Sequence, residues 1–121
     1  MKKTVSLKEN HLFRRLYSKG QSAVSPYLAV YVRKNGRSGN RLGFTVSTKL
    51  GHAVVRNKVR RRLREIYRLH EDEIVPGVDF VVVARVKAAH ASYRQLESSF
   101  LKLCGKLGVL KKPSGKSGAA Q

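Results

Sequence analysis

Val54-Val55-Arg56-Asn57-Lys58-Val59-Arg60-Arg61-Arg62-Leu63-Arg64-Glu65-Ile66-Tyr67-Arg68 is the stretch on which the reading of this chain turns. At about 100° per residue, Val55, Val59, Leu63, Ile66 and His70 fall within one arc. The segment from about Ala53 to His70 is therefore predicted to be an amphipathic helix with that arc toward a core. Arg56, Asn57, Lys58, Arg60, Arg61, Arg64 and Arg68 spread over the opposite side. Arg62 falls beside the apolar arc, where it must snorkel out or find a partner. Arg56/Arg60, Arg60/Arg64 and Arg64/Arg68 are like-charge i,i+4 pairs, each costing roughly 0.2–0.5 kcal/mol. Cations in the first turn also oppose the helix dipole. Glu65 alone offers relief within the run. A helix that keeps such repulsion expects an anion to neutralise it; the bland alternative is a solvated face.

The rest of the chain sharpens that expectation. Its 121 residues fit one domain, with Met1 to Leu110 as the folded part and Lys111 to Gln121, rich in Lys, Gly, Ser and Ala, as a disordered basic tail. Lys and Arg number 26 against 7 Asp and Glu, a formal net charge of +19. A fold this small cannot neutralise that internally, so it needs a polyanion, nucleic acid before a membrane surface. Hydrophobic residues at 41% suffice for a core and exceed what a basic tail carries. Cys104 is the single cysteine, which excludes a disulfide framework and a Cys-based zinc finger. No apolar run approaches the ~18 residues of a membrane span, and Met1 to Lys8 has no signal-peptide character. A cytoplasmic protein is expected.

A short helix is expected between Asn10, as N-cap, and Gly20, as stop, with Ser6 and Glu9 as a competing cap. Leu12/Leu16 and Phe13/Tyr17 form neighbouring i,i+4 pairs on it. Tyr27 to Val32 reads as a strand, Tyr27, Ala29 and Tyr31 on one face and Leu28, Val30 and Val32 on the other. Asn35-Gly36 and Gly39-Asn40 mark a hairpin turn or loop. Leu42 to Ser47 is a second strand, with Thr45 and Ser47 sharing a face. Phe80 to Ala84, after the Pro76-Gly77 turn, is a more fully buried strand. A last helix starts near Ser92, which stands at capping-box spacing from Gln95, and continues to Leu107. The expected fold is α+β, a single-domain α/β sandwich in the order αβββαβα, with a sheet and helices against it.

With these residues in view, Arg56-Asn57-Lys58-Val59-Arg60-Arg61-Arg62-Leu63-Arg64 closely resembles the Arg-Asn-Arg motif of the bacterial ribonuclease P protein subunit. Gly43 to Gly51 before it, Asp79 to Arg85 after it, and Asn10 to Gly20 near the start are similar to the family's other segments. The resemblance covers roughly residues 7 to 107. Lys58 stands where the motif usually has Arg, which keeps the charge but not the guanidinium fork.

The resemblance implies a protein that does not itself cut. It implies a partner, the ribonuclease P catalytic RNA, which removes the 5′ leader of precursor tRNA using Mg²⁺ held by RNA and substrate phosphates. Carried over, Arg56, Asn57, Lys58, Arg60, Arg61 and Arg64 would contact that RNA; Lys49, in the preceding loop, would add a phosphate contact, and Arg68 extends the same face. The family also implies a cleft between the first helix and the sheet for the single-stranded leader, and a left-handed βαβ crossover of the kind seen in ribosomal S5 domain 2. Phe13 and Tyr17 on one helix stripe, Tyr27 and Tyr31 on one strand face, and Thr45 and Ser47 on the next would line the cleft. Aromatic rings suit unpaired bases, at ~1–3 kcal/mol per stacked base. On the residues alone, Phe13 and Tyr17 read as core ahead of cleft; the resemblance reverses that order.

Chemistry of the protein's own is not expected. Glu71-Asp72-Glu73 reads as a solvated loop, His11, His52, His70 and His90 lack ligand spacing, and His70 reads as a packed histidine. Cys104 lies in a helix with no base beside it. No catalytic residue, bound metal or obligate protein partner is expected. The competing readings are a ribosomal or general structured-RNA-binding protein, and a DNA regulator laying the basic helix in a major groove. The latter lacks a dimerisation segment and a preceding positioning helix.

Overall fold

Apolar residues at period two in three stretches and at period 3.6 in three others give a mixed sheet with helices on both faces. The protein was analysed as a computed structural model, which describes residues 4–111. The strands are β1 (Thr4–Ser6), β2 (Gln21–Val24), β3 (Leu28–Lys34), β4 (Asn40–Val46) and β5 (Val78–Ala84). The helices are α1 (Asn10–Lys19), α2 (Ala53–His70) and α3 (Tyr93–Lys106). The fold is α+β, and the spatial order of strands is β1-β4-β5-β3-β2. The expected tail lies outside the described residues, apart from Lys111.

β5 is the central strand, parallel to β4 and antiparallel to β3. Its near-continuous apolar run follows from burial on both faces. Leu28, Val30, Val32, Phe80, Val82 and Ala84 meet the buried residues of α2 and α3 in the main core. Val81 turns the other way to join Leu12 and Leu16 of α1, with Phe13, Tyr31 and Val83 packed against them. α2 connects β4 to the parallel β5 and lays its buried stripe on the main core.

Several expectations need correction. β1, parallel to β4, precedes the expected order; three residues with only one apolar side chain carry no periodic signal. The Asn35–Gly39 segment, expected as a hairpin turn or a loop, is a loop, because β5 lies between β3 and β4. Glu9, not Asn10, caps α1, and without a side-chain hydrogen bond; Ser6 belongs to β1. Gly20 does end that helix, donating its N–H to the Leu16 carbonyl at 2.9 Å. Tyr67 is fully buried between Phe80 and Phe100, whereas Val55 is half-buried. Glu71 is buried and accepts from the Thr4 hydroxyl at 2.6 Å, so the acidic triplet is not wholly a solvated loop. The capping box of α3 is as expected: Ser92 Oγ accepts from the Gln95 N–H at 3.1 Å, and Gln95 Oε1 accepts from the Ser92 N–H at 2.9 Å.

A polar network fixes the end of the sheet to which the chain returns after α2. Asn40 is buried; its Oδ1 accepts from the Val78 N–H at 2.8 Å and its Nδ2 donates to the Val75 carbonyl at 3.2 Å. Asp79 takes a bidentate Arg41 at 2.8 Å on each oxygen and a third bond from Asn35 Nδ2 at 2.9 Å. These bonds tie β3, β4 and β5 together where β4 and β5 begin.

Candidate nucleic-acid interface

α2 turns one stripe inward and presents the rest. Val59, Leu63, Ile66 and Tyr67 are buried, and Asn57, Lys58, Arg61, Arg64 and Arg68 are exposed, with Arg56 and Arg60 partly so. Arg62 finds the partner its position demands, donating to the Ala91 carbonyl at 3.2 Å. Arg56 Nε donates to the Gly51 carbonyl at 3.2 Å, and Arg60 donates to Asn57 Oδ1 at 3.1 Å. Neither contact neutralises a charge. Among the described residues, Arg56, Lys58, Arg60, Arg61 and Arg64 form no ion pair. Arg68 differs: it forks onto Glu65 at 2.9 and 2.6 Å, so much of its charge is already spent. The Arg68 hydrogen bond in turn holds the Glu65 carboxyl below its usual range.

Lys49 sits exposed in a 3₁₀ turn (Thr48–Leu50) between β4 and α2. Ser47 caps that turn, its Oγ accepting from the Lys49 N–H at 3.1 Å. The Arg56–Gly51 bond staples the same loop to α2, so Lys49 and the basic face form one surface.

The second set of predicted residues divides. Phe13, Tyr17, Tyr31 and Thr45 come together on the α1 face. The Tyr17 and Tyr31 rings meet edge to face at 4.9 Å, Phe13 lies 6.4 Å from Tyr17, and the Tyr17 hydroxyl and Thr45 Oγ1 are 3.1 Å apart. The two readings divide between the residues: Phe13 packs on the small α1 core, whereas Tyr17 is 43% exposed. Gly43 makes this possible, since a Cβ there would lie 2.6 Å from Phe13 Cζ.

Tyr27 and Ser47 lie elsewhere. Tyr27 precedes β3, in a turn where its N–H donates to Ser25 Oγ at 3.1 Å, so the strand alternation does not reach it. It packs against the main core on the α3 side. Ser47 lies past the end of β4, spends its hydroxyl on the turn, and lines a depression with Pro26, Leu50, Arg85 and Lys87. Alternation places Thr45 and Ser47 on one face only if the strand continues, and it stops at Val46.

Phe44 was not foreseen. It shares a strand face with Leu42 and Val46 and packs against the main core, and β1 pairs with β4 only as far as Leu42. Beyond that point β4 is a sheet edge. Phe44 and Arg60 there line the same groove as Phe13, Arg14, Tyr17 and Thr45, so the aromatic cleft opens directly onto the basic helix.

Two further titratable groups are engaged structurally. His70 bridges Glu73 at 2.7 Å and Glu97 at 2.8 Å. Burial works against its charge, but the two carboxylates prevail and raise its pKa. Burial pushes the Cys104 thiol up to about 12. Among the described residues no group of three or more His, Cys, Asp or Glu side chains could hold a metal ion, and no helix is long and apolar enough to cross a membrane.

Comparison with known proteins gives a consistent picture. The sequence model of the ribonuclease P family matches residues 1–108. The ribonuclease P protein component of Natranaerobius thermophilus is 38% identical over 112 residues, covering 93% of this chain and 97% of that one. That of Alkaliphilus oremlandii is 40% identical over 110 residues, 91% and 96% of the two chains. Among solved structures, the Staphylococcus aureus RNase P protein superposes with a TM-score of 0.81 at 34% identity, covering 88% of this chain and 97% of that one. The Thermotoga maritima RNase P protein gives 0.73 at 33%, covering 80% and 92%.

Proposed function

Because this chain belongs to the ribonuclease P protein family, and so is a subunit of an endoribonuclease holoenzyme with an RNA partner, we propose that it binds the catalytic RNA through α2 and the precursor tRNA leader through the α1 cleft. The observation that carries this reading is the row of guanidinium and ammonium groups on α2, Arg56, Lys58, Arg60, Arg61 and Arg64, with no acidic partner among the described residues. Their mutual repulsion is relieved when phosphates supply the counter-charge, and each phosphate contact releases counterions. Lys49 adds to that surface; Asn57, held by Arg60, orients a guanidinium fork. Arg68 contributes only in competition with Glu65.

The cleft supplies the second half. Phe13, Tyr17 and Tyr31 offer ring faces and edges on which unpaired bases stack without regard to sequence, while Thr45, beside the Tyr17 hydroxyl, offers a small polar contact. Phe44 and Arg60 lie where a strand leaving the cleft meets the basic helix. A single-stranded leader seated there is positioned relative to the catalytic RNA bound on α2, and this positioning is the protein's part in cleavage. The reacting groups belong to the RNA. Mg²⁺ would be held by RNA and substrate phosphates; of the protein's own carboxylates, Asp79, Glu65, Glu73 and Glu97 are each tied to a cationic or histidine partner. The setting is cytoplasmic.

The test is reconstitution. The full chain, mixed with the catalytic RNA and a leader-bearing precursor tRNA at low Mg²⁺, is expected to restore leader cleavage well above RNA alone. No gain over RNA alone would refute the proposal and favour a general structured-RNA binder.

A further inference from the structure

We infer that a second groove, between α3 and the β2–β3 turn, takes a single-stranded segment of the catalytic RNA. The groove lies on the face of the sheet opposite the α1 cleft. Tyr27 forms one wall and the α3 residues Arg94, Ser98 and Lys102 the other. These three recur at i,i+4 and are exposed, a stripe along the outside of the helix. From Arg94 to Lys102 the stripe runs about 12 Å, the rise of three to four stacked nucleotides at about 3.4 Å each. No acidic side chain lines the groove, and among the described residues neither Arg94 nor Lys102 is in an ion pair. Glu97, the one acid of α3, faces away and holds His70.

This composition is that of a strand-binding groove: two cations for phosphates, serine hydroxyls for phosphate or ribose oxygens, and one aromatic wall for a base. The turn that presents Tyr27 is held firmly. Ser25 Oγ accepts from the Tyr27 and Leu28 N–H groups at 3.1 and 3.0 Å, and Arg85 clamps the Ser25 carbonyl at 2.8 Å. Continuity favours the catalytic RNA as occupant. Pro26 borders both this groove and the depression lined by Ser47, Arg85 and Lys87, which adjoins the loop carrying Lys49. α3 also packs beside α2 on the same side of the sheet. An RNA seated on α2 and its loop therefore reaches this groove without crossing the sheet, whereas a leader in the α1 cleft lies on the other face.

The inference rests on the proposed binding of the catalytic RNA by α2, and the test separates the two. Binding of the full chain to the catalytic RNA is measured across salt for Arg94→Ala/Lys102→Ala and, in parallel, for Arg60→Ala/Arg64→Ala. The groove pair is expected to flatten the log–log salt slope by about 1.4, at about 0.7 per single-strand phosphate contact. Tyr27→Leu, which keeps an apolar side chain against the core, is expected to weaken binding roughly 5- to 150-fold, the loss of one stacked base, with Tyr27→Phe near the parent. A photoreactive group at position 98 is expected to crosslink the catalytic RNA. The groove assignment is overturned by an unchanged slope in Arg94→Ala/Lys102→Ala while Arg60→Ala/Arg64→Ala flattens it, by Tyr27→Leu binding as the parent does, or by position 98 crosslinking only the precursor leader. An unchanged slope in both pairs overturns the α2 reading itself.

Discussion

Glu65→Gln is expected to tighten binding to the catalytic RNA, an unusual direction for an uninformed substitution at an interface. Glu65 is the one carboxylate among the cations of the α2 face, and it holds Arg68 by two bonds of 2.9 and 2.6 Å. That pairing holds its carboxyl below the ordinary range, so it is ionised at neutral pH. Its removal deletes a negative charge facing the phosphates and releases one guanidinium to them. Both partners are about half exposed, so the pair adds little to stability, and the thermal midpoint should be unchanged. One added phosphate contact steepens the log–log salt slope by about 0.9. Over a fourfold fall in salt, from about 200 to about 50 mM, the affinity advantage over the parent then grows by about 3.5-fold. Filter binding or fluorescence titration of the full chain with the catalytic RNA across that range measures it, and Arg68→Ala in the Glu65→Gln background should return the slope to the parent's. A slope equal to or shallower than the parent's would refute the placement of this end of α2 against RNA.

Tyr17→Ala should reduce the preference for leader-bearing over leaderless tRNA while leaving the salt slope of catalytic-RNA binding intact, measured by paired affinities; an altered slope with preserved preference would contradict the cleft's role. Gly43→Ala drives a methyl into Phe13, whose ring must move; the expected cost is about 1–3 kcal/mol in denaturant unfolding, with loss of leader preference. His70, whose pKa is raised in the folded state, contributes stability that is fully present below about pH 6.5 and lost as pH rises through its folded-state value. Thermal midpoints from acid to mildly alkaline pH should therefore fall more for the parent than for His70→Gln, and parallel curves would count against the Glu73–His70–Glu97 bridge.

The sequence made the basic helix, the central strand and the α3 capping box legible because each rests on a local signal: 3.6-residue periodicity, an apolar run, and a Ser–Gln spacing. What it hid depends on neighbours distant in sequence. Asn40 looks like a turn residue but is a buried anchor of Val78, and Tyr67, absent from the expected apolar arc, closes the core between Phe80 and Phe100. Tyr27 and Ser47 followed strand alternation on paper; a serine-held turn and an early strand end remove them from the cleft. Phe44 escaped notice for the converse reason: only knowledge that β1 stops at Leu42 reveals that this part of β4 is an edge.

The central claim is that the unmatched cations of α2 are kept for RNA and not for the fold, and one variant tests it most directly. Replacing Arg56, Lys58, Arg60, Arg61 and Arg64 together by Ala leaves strong helix formers and removes the i,i+4 repulsion. The variant should melt no lower than the parent, while its log–log salt slope for the catalytic RNA falls by about 4–5. A slope that stays at the parent's value in a folded variant, or a fold that collapses without these side chains, would contradict the account.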